Sequence, residues 1–257
     1  MAGNRRVALI TNARAYCGPA TLTAFRARGW IACCHDDSFE SEEARHAFET
    51  TNPGCTASPL QDSAELGRWC ADRFDRIDAL VCNDVPKNIT TPIGMKDAQA
   101  LQAIPDRLQD FELFTRSLLF APVDLVRAVL PIMRTQGDGS ILFITSGAPL
   151  TNPLNSSAHG YSAARAAVHA LTRALAVELG PENIQVNSIA PYLIYSPTFF
   201  PSDIGPQDPK FKPMLEQKVP MRRFGTDEEF AALVALLACG EARFVSGQII
   251  AFSGGGS

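Results

Sequence analysis

Short apolar runs alternate along the chain with longer segments whose apolar residues recur at helical spacing. The apolar runs predict strands at residues 7–11, 31–34, 79–82, 141–145, 186–189 and 248–252. The helical spacing predicts helices at residues 21–28, 41–50, 64–74, 114–136, 161–179 and 227–239. Repeated strand–helix units are typical of a parallel sheet with helices on both faces, and continuously apolar strands fit burial on both sides. The sequence therefore predicts an α/β fold, a doubly wound Rossmann-like domain with a parallel sheet of about seven strands.

One long segment, residues 192–226, interrupts this alternation. It has no clear periodicity and contains six prolines, namely Pro197, Pro201, Pro206, Pro209, Pro213 and Pro220. Long loops inside compact domains are usually lids or binding loops, so we expect this segment to cover a site at the end of the preceding strand. No internal repeat or low-complexity linker divides the chain, and its 257 residues suit a single domain spanning residues 1–257.

The composition argues against several classes of partner. With 23 Lys and Arg against 27 Asp and Glu, the net charge is −4, which does not favour nucleic acid or an anionic membrane surface. No apolar run reaches the ~18 residues of a membrane-spanning helix, and a strand follows the N terminus directly, as in chains without a signal peptide. The seven cysteines and four histidines show no metal-ligand spacing. We therefore expect a cytoplasmic protein with reduced thiols and no metal.

Tyr161 and Arg165 are the first candidates for chemistry. They lie four residues apart at the start of a predicted helix, so they share one helix face. A guanidinium keeps its charge, and a nearby cation favours the phenolate form of a tyrosine, which makes Tyr161 a candidate general base. Taken alone, such a pair is more often a stacking pair on the protein surface.

Ser146 favours the catalytic interpretation of that pair. It follows the predicted strand at residues 141–145 and precedes Tyr161 by fifteen residues. A hydroxyl at the carboxyl end of a parallel strand lies where open α/β sheets bind their ligands. We therefore expect Ser146, Tyr161 and Arg165 to form one site.

The turn after the first predicted strand lacks the glycines of a dinucleotide site. A phosphate-binding turn needs them so that the backbone can approach a pyrophosphate at a helix N terminus. Residues 11–18 read Thr-Asn-Ala-Arg-Ala-Tyr-Cys-Gly, so only Gly18 is present. The ring of Tyr16 is predicted to project into the space that a dinucleotide would need; the less favoured alternative is that it packs in an ordinary loop.

Along its whole length the chain resembles the short-chain dehydrogenases/reductases. Asn83 holds the place of the asparagine segment of that superfamily, and residues 186–191 (Val-Asn-Ser-Ile-Ala-Pro) and 247–255 match its last two strands. Three departures stand out. Arg165 replaces the lysine of Tyr-x-x-x-Lys, Tyr192 replaces the glycine after Pro191, and the helix asparagine of the catalytic tetrad is replaced near residues 117–118.

These departures coincide with one branch of the superfamily, because the chain resembles the halohydrin dehalogenases. That branch carries Thr-x4-(Phe/Tyr)-x-Gly in the first turn, matched by Thr11, Tyr16 and Gly18. It combines a serine with Tyr-x-x-x-Arg, and the matching residues are Ser146, Tyr161 and Arg165. Residues 34–39 and 143–146 also look like members of the branch.

The resemblance implies an activity and a set of roles. Halohydrin dehalogenases expel halide from vicinal haloalcohols to give epoxides, and reopen epoxides with small anions such as azide, cyanide or nitrite. Ser146 would bind the substrate hydroxyl, Tyr161 would accept its proton, and Arg165 would keep Tyr161 ionised. The halide site would comprise Tyr16, Pro191, Tyr192, Leu193 and Ile194. The resemblance further implies no nicotinamide or metal cofactor, a substrate loop at residues 147–160, and a homotetramer formed through the helices at residues 114–136 and 161–179.

Two other functions remain open at this point. A nicotinamide-dependent reductase with a divergent cofactor turn would share Ser146 and Tyr161. A scaffold protein without activity would be expected to lose catalytic residues at random. Asp84 could orient Arg165 or could be solvated, and the sequence does not define the preferred haloalcohol or its enantiomer.

Overall fold

Seven parallel strands form one sheet in the order β3-β2-β1-β4-β5-β6-β7. The computed structural model describes residues 5–85, 108–150, 159–200, 203 and 205–256. The strands are β1 Val7–Ile10, β2 Ile31–Cys34, β3 Cys55–Ala57, β4 Ala79–Cys82, β5 Gly139–Ile144, β6 Ile184–Pro191 and β7 Ile249–Phe252. The strand order reverses between β1 and β4, which is where doubly wound sheets open a crevice for ligands. The predicted α/β fold is confirmed.

Eight α-helices surround this sheet within the described ranges. They are α1 Gly18–Arg26, α2 Glu42–Thr51, α3 Ser63–Phe74, α4 Leu108–Thr115, α5 Ala121–Gln136, α6 His159–Leu179, α7 Lys212–Lys218 and α8 Asp227–Ala238. A π-helical segment, Arg116–Phe120, joins α4 to α5. The single helix predicted at residues 114–136 is therefore two helices joined through a π turn. None of the described helices is long and apolar enough to cross a membrane.

The sheet separates two apolar cores. Leu142 and Ile144 face the core built with α1, α2 and α8, whereas Ile141 and Phe143 face the core built with α3, α5 and α6. Alternate side chains of a strand point to opposite faces, so β5 is buried on both sides, as its continuous apolar run predicted. This double burial fixes the strand end that carries Ser146.

Two elements differ from the sequence predictions. β3 is a three-residue edge strand, too short to show a pattern. The segment at residues 192–226, which we call the lid segment, is not wholly irregular, because it contains α7 and an apolar cluster of its own. That lid cluster consists of Phe200, Phe211, Met214, Leu215, Val219 and Phe224, with Leu193, Tyr195 and Phe199 packed against it. Pro201, predicted as part of this segment, lies outside the described residues.

Candidate active site

Ser146 lies two residues beyond the carboxyl end of β5, as predicted. The residue is 8% exposed, and its hydroxyl oxygen accepts a hydrogen bond of 3.1 Å from the N–H of Ala148. The next peptide is also held, because the N–H of Gly147 donates to the carbonyl of Pro191 at 2.7 Å. Main-chain contacts on the C-terminal side thus restrain the serine. Residues 151–158 of the predicted substrate loop lie outside the described part of the chain.

Tyr161 occupies the first turn of α6 and lies inside the protein. It is 6% exposed. The Tyr161 ring packs edge to face against the Phe114 ring, with 5.8 Å between the ring centroids. The guanidinium carbon of Arg165 lies 5.3 Å from the centroid of the tyrosine ring. The pair is therefore buried, and the alternative of a surface stacking pair does not hold.

Arg165 points inward and is bound by the main chain. It is 1% exposed, and its two terminal nitrogens donate to the carbonyls of Ile144 at 3.0 Å and Asp84 at 2.7 Å. Its Nε is buried and has no hydrogen-bond partner among the described residues. Asp84 thus contacts Arg165 through its peptide carbonyl. The Asp84 carboxylate accepts from the hydroxyl of Thr11 at 3.2 Å.

The first turn has glycine-like backbone geometry at two residues that are not glycine. Asn12 has φ of 46° and Tyr16 has φ of 52°, in the left-handed region that non-glycine residues rarely occupy. A Cβ added at Gly18 would lie 2.5 Å from the carbonyl oxygens of Asn12 and Ala13. The Asn83 amide closes the turn by donating to the carbonyls of Asn12 and Ala15, each at 2.9 Å. The turn is therefore tightly packed around its one glycine.

Tyr16 connects this turn to the end of β5 and to the lid segment. Its hydroxyl donates to the carbonyl of Thr145 at 3.3 Å, next to Ser146. Its N–H donates to the hydroxyl of Thr198 at 3.1 Å, and its ring meets Phe199 edge to face at 5.0 Å. Burial raises the pKa of Tyr16 well above its usual value; the charges of Cys17 and Tyr161 act in the same direction, and Arg165 opposes them. Tyr16 is therefore a neutral, buried phenol within electrostatic reach of Tyr161.

The remaining four candidate halide-site residues do not converge on one cluster. Pro191 ends β6 and fixes Gly147 through its carbonyl. The Tyr192 ring lies towards the C terminus, since a Cβ at Gly256 would be 2.9 Å from it, and burial raises its pKa. Leu193 packs against the lid cluster, whereas Ile194 belongs to the same core as Tyr16. Their contribution to a halide site remains a prediction.

Thr145 and His169 form a polar contact at the site that the sequence predictions missed. The Thr145 hydroxyl lies 2.8 Å from Nε2 of His169 and 3.0 Å from the carbonyl of Ile189. Burial, together with the smaller effects of the charges of Arg165 and Arg173, lowers the pKa of His169 to about 4. Tyr161, Arg165 and His169 recur every four residues of α6. That spacing was the sequence signal from which His169 could have been included in the predicted site.

We expect the depressed pKa of His169 to make stability depend on pH. The folded-state pKa of about 4 lies below the ordinary 6.5, so the unfolded chain takes up this proton first as the pH falls. Stability is complete above pH 6.5 and is lost between pH 6.5 and 4, by about 2 to 3 kcal/mol for this group. Urea unfolding at pH 7 and pH 4.5 should show this extra loss in the wild type but not in His169→Gln. Equal losses in the two proteins would refute the assignment.

The described residues show no metal-binding group. No cluster of three or more His, Cys, Asp or Glu side chains that could hold an ion occurs among them. All seven cysteines are buried free thiols. The polar groups at the ends of β1, β4 and β5 include the Thr11 and Thr145 hydroxyls, the Asn83 amide, the Asp84 carboxylate, the His169 imidazole and the Arg165 guanidinium.

Comparison with known proteins gives two kinds of relative. Two solved structures superpose closely: a protein described as "Dehalogenation enzyme" (TM-score 0.86, 30% identity, 100% of both chains) and a halohydrin dehalogenase, HheC, bound to ethyl (2S)-oxiran-2-ylacetate (TM-score 0.85, 28% identity, 97% of this chain and 96% of that chain). Levodione reductase from Leifsonia aquatica is 31% identical, over 98% of this chain and 94% of its own length.

The family-level match covers most of the chain. Residues 25–257 match the model described as enoyl-(acyl carrier protein) reductase, so the match begins after the turn that carries Tyr16. Together with the superposed structures and the reductase relative, it identifies the superfamily. The chain therefore belongs to the enoyl-(acyl carrier protein) reductase family, within the short-chain dehydrogenase/reductase superfamily.

Proposed function

We propose that this protein is a cofactor-independent halohydrin dehalogenase. It converts a vicinal haloalcohol into an epoxide and halide, and in reverse it opens epoxides with small anions such as azide, cyanide or nitrite. Ser146, Tyr161 and Arg165 are the catalytic residues of this proposal. The similarity to a dehalogenation enzyme over the full length of both chains supports it.

The observation that carries the proposal is the placement of Tyr16. Its side chain fills the turn after β1 and reaches Thr145, beside Ser146. A pyrophosphate bound at this turn would need close access to the backbone, but the main-chain N–H of Tyr16 is bound by the Thr198 hydroxyl and Phe199 packs on the Tyr16 ring. The first turn therefore does not fit a nicotinamide dinucleotide.

The orientation of Arg165 supports the same conclusion. Both terminal nitrogens donate to main-chain carbonyls inside the protein, and the residue is 1% exposed. A reductase needs a cation that can reach the ribose of the nicotinamide. The distance of 5.3 Å between the guanidinium carbon of Arg165 and the centroid of the Tyr161 ring supports a role for this cation at the tyrosine.

The proposed reaction uses one proton transfer and one displacement. Ser146 donates a hydrogen bond that holds the substrate hydroxyl beside Tyr161. Tyr161 is the general base of this proposal and accepts the hydroxyl proton on its phenolate oxygen, with the guanidinium of Arg165 beside its ring. The alkoxide oxygen then attacks the neighbouring carbon and forms the epoxide C–O bond as the C–halogen bond breaks, and the halide leaves with that electron pair. General base catalysis contributes roughly 10²- to 10⁴-fold, and fixing the reacting groups contributes more.

The leaving halide would enter the space bordered by Tyr16 and residues 191–194. Because the Tyr16 hydroxyl already donates to Thr145, this residue offers an anion the positive edge of its ring. The N–H of Tyr192 donates to the carbonyl of Phe252 at 3.1 Å. The N–H groups of Leu193 and Ile194 are therefore the main-chain donors assigned to the halide in this segment.

The second candidate is a nicotinamide-dependent reductase, which the family match and the relative Levodione reductase favour. Bromide release from a bromoalcohol without nucleotide distinguishes the two activities, and the absence of both would favour a scaffold.

We also propose a homotetramer built through α4 to α6, where Phe120 is 53% and Val177 81% exposed. A cytoplasmic location remains a prediction from composition.

A further inference from the structure

Thr145 is next in sequence to the predicted catalytic residue Ser146 and is hydrogen-bonded to the predicted halide-binding residue Tyr16. It is fully buried and lies between Ile144, whose carbonyl holds Arg165, and Ser146. Its own carbonyl accepts the hydroxyl of Tyr16, and its N–H donates to Ile189 at 2.8 Å. A displacement of Thr145 would therefore move Ser146 and Tyr16 together.

The direction of the hydrogen bond between Thr145 and His169 follows from proton counting. The Ile189 carbonyl can only accept, so the single hydroxyl proton of Thr145 goes to it at 3.0 Å. The threonine oxygen must then accept from Nε2 of His169, 2.8 Å away. His169 is thus a donor, in the tautomer that carries its proton on Nε2.

We infer that His169 is a positioning residue, which holds Thr145 so that Ser146 and Tyr16 keep their places on the two sides of the reacting carbon atoms. This inference rests on the proposed function. His169 does not touch the substrate in this account, and it acts through Thr145. His169 lies on α6 eight residues after Tyr161. The same helix therefore carries the proposed base and contacts Thr145 at the end of β5.

Three variants test the inference. His169→Phe keeps a buried ring but removes the donor, and His169→Gln restores an N–H donor on a side chain of similar reach. Thr172→Val is the matched control, because Thr172 makes a comparable buried hydrogen bond of 2.6 Å from α6 to Ser188 on β6 without touching Thr145. We expect His169→Phe to lower kcat for bromide release about tenfold and to weaken inhibition by bromide several-fold, as for the loss of one buried hydrogen bond at a site.

The conservative variant and the control decide between positioning and general stability. His169→Gln should recover kcat to within about threefold of the wild type, and Thr172→Val should lower thermal stability with kcat unchanged. Equal kcat values for His169→Phe and the wild type would overturn the inference. So would equal losses in His169→Phe and Thr172→Val, or a folded His169→Gln as impaired as His169→Phe.

A measurement without substrate separates this inference from the proposed function. NMR spectra of ¹⁵N-histidine should show His169 as the Nε2–H tautomer at neutral pH. The ring signals of labelled Tyr16 should shift in His169→Phe and stay in place in Thr172→Val. Those results would support the positioning role even if no bromoalcohol were converted. An Nδ1–H tautomer, or unchanged Tyr16 signals in His169→Phe, would overturn it even in an active dehalogenase.

Discussion

Replacing Tyr161 with phenylalanine should reduce halide release from a vicinal bromoalcohol to about 1% of the wild-type rate or less, since the general base alone contributes roughly 10²-fold or more. The fold should be unaffected. The ring remains to pack against Phe114 and under the guanidinium of Arg165, so only the phenolic oxygen is lost. Initial rates of bromide release, measured together with the melting temperature, test both halves of this expectation.

Tyr195→Phe is a suitable control for that variant. It removes the same hydroxyl from a tyrosine that packs against Phe200, Phe211 and Phe224 in the lid cluster. We expect it to retain nearly the full rate. Bromide release by Tyr161→Phe at more than a few per cent of the wild-type rate, with an unchanged melting temperature, would remove Tyr161 from the role of base.

Neither NADH nor NADPH should bind to the wild-type protein at micromolar concentrations. A pyrophosphate must approach the backbone of the first turn, but there the Tyr16 N–H is bound by the Thr198 hydroxyl and the Tyr16 side chain extends to Thr145. Gly18 is packed against the carbonyls of Asn12 and Ala13. Arg165 is committed to two main-chain carbonyls. Isothermal titration calorimetry with both nucleotides should therefore give no saturable heat.

The Tyr16→Gly variant shows which feature causes the exclusion. Glycine adopts the observed φ of 52° without strain, so this variant should fold. Nucleotide binding by the variant alone would identify the tyrosine side chain as the obstacle. Saturable micromolar binding by the wild type would contradict the proposed function and favour the reductase alternative, with which the family match and the reductase relative agree.

The fold could be predicted where burial leaves a pattern in the sequence. β1, β2 and β4 are apolar throughout, and β5 is apolar from Ile141 to Ile144, because helices cover both faces of the sheet. This produced the predicted strand–helix alternation. β3 has only three residues at the sheet edge, so it carries no such pattern. α7 was missed because the prolines around it suggested an irregular loop, whereas its Met214 and Leu215 are held by the aromatic lid cluster.

The candidate site could be predicted only in part, because some of its contacts leave no pattern in the sequence. The spacing of Tyr161 and Arg165 and the strand-end position of Ser146 are properties of the chain itself. The partners of Arg165 are the main-chain carbonyls of Ile144 and Asp84. Because every residue has a main-chain carbonyl, the sequence does not indicate which ones bind a side chain. His169 was overlooked because its inferred role depends on Thr145, the residue after β5, which only the tertiary structure brings within 2.8 Å.

The most direct test of the central claim is halide release in the absence of nucleotide. Purified protein is mixed with a vicinal bromoalcohol, and bromide and epoxide are measured together while NADPH consumption is followed in a parallel reaction with a ketone. Our account predicts equal amounts of bromide and epoxide without nucleotide, release by Tyr161→Phe at about 1% of the wild-type rate or less, and no NADPH consumption. A protein that releases no bromide but oxidises NADPH in the presence of the ketone would contradict it.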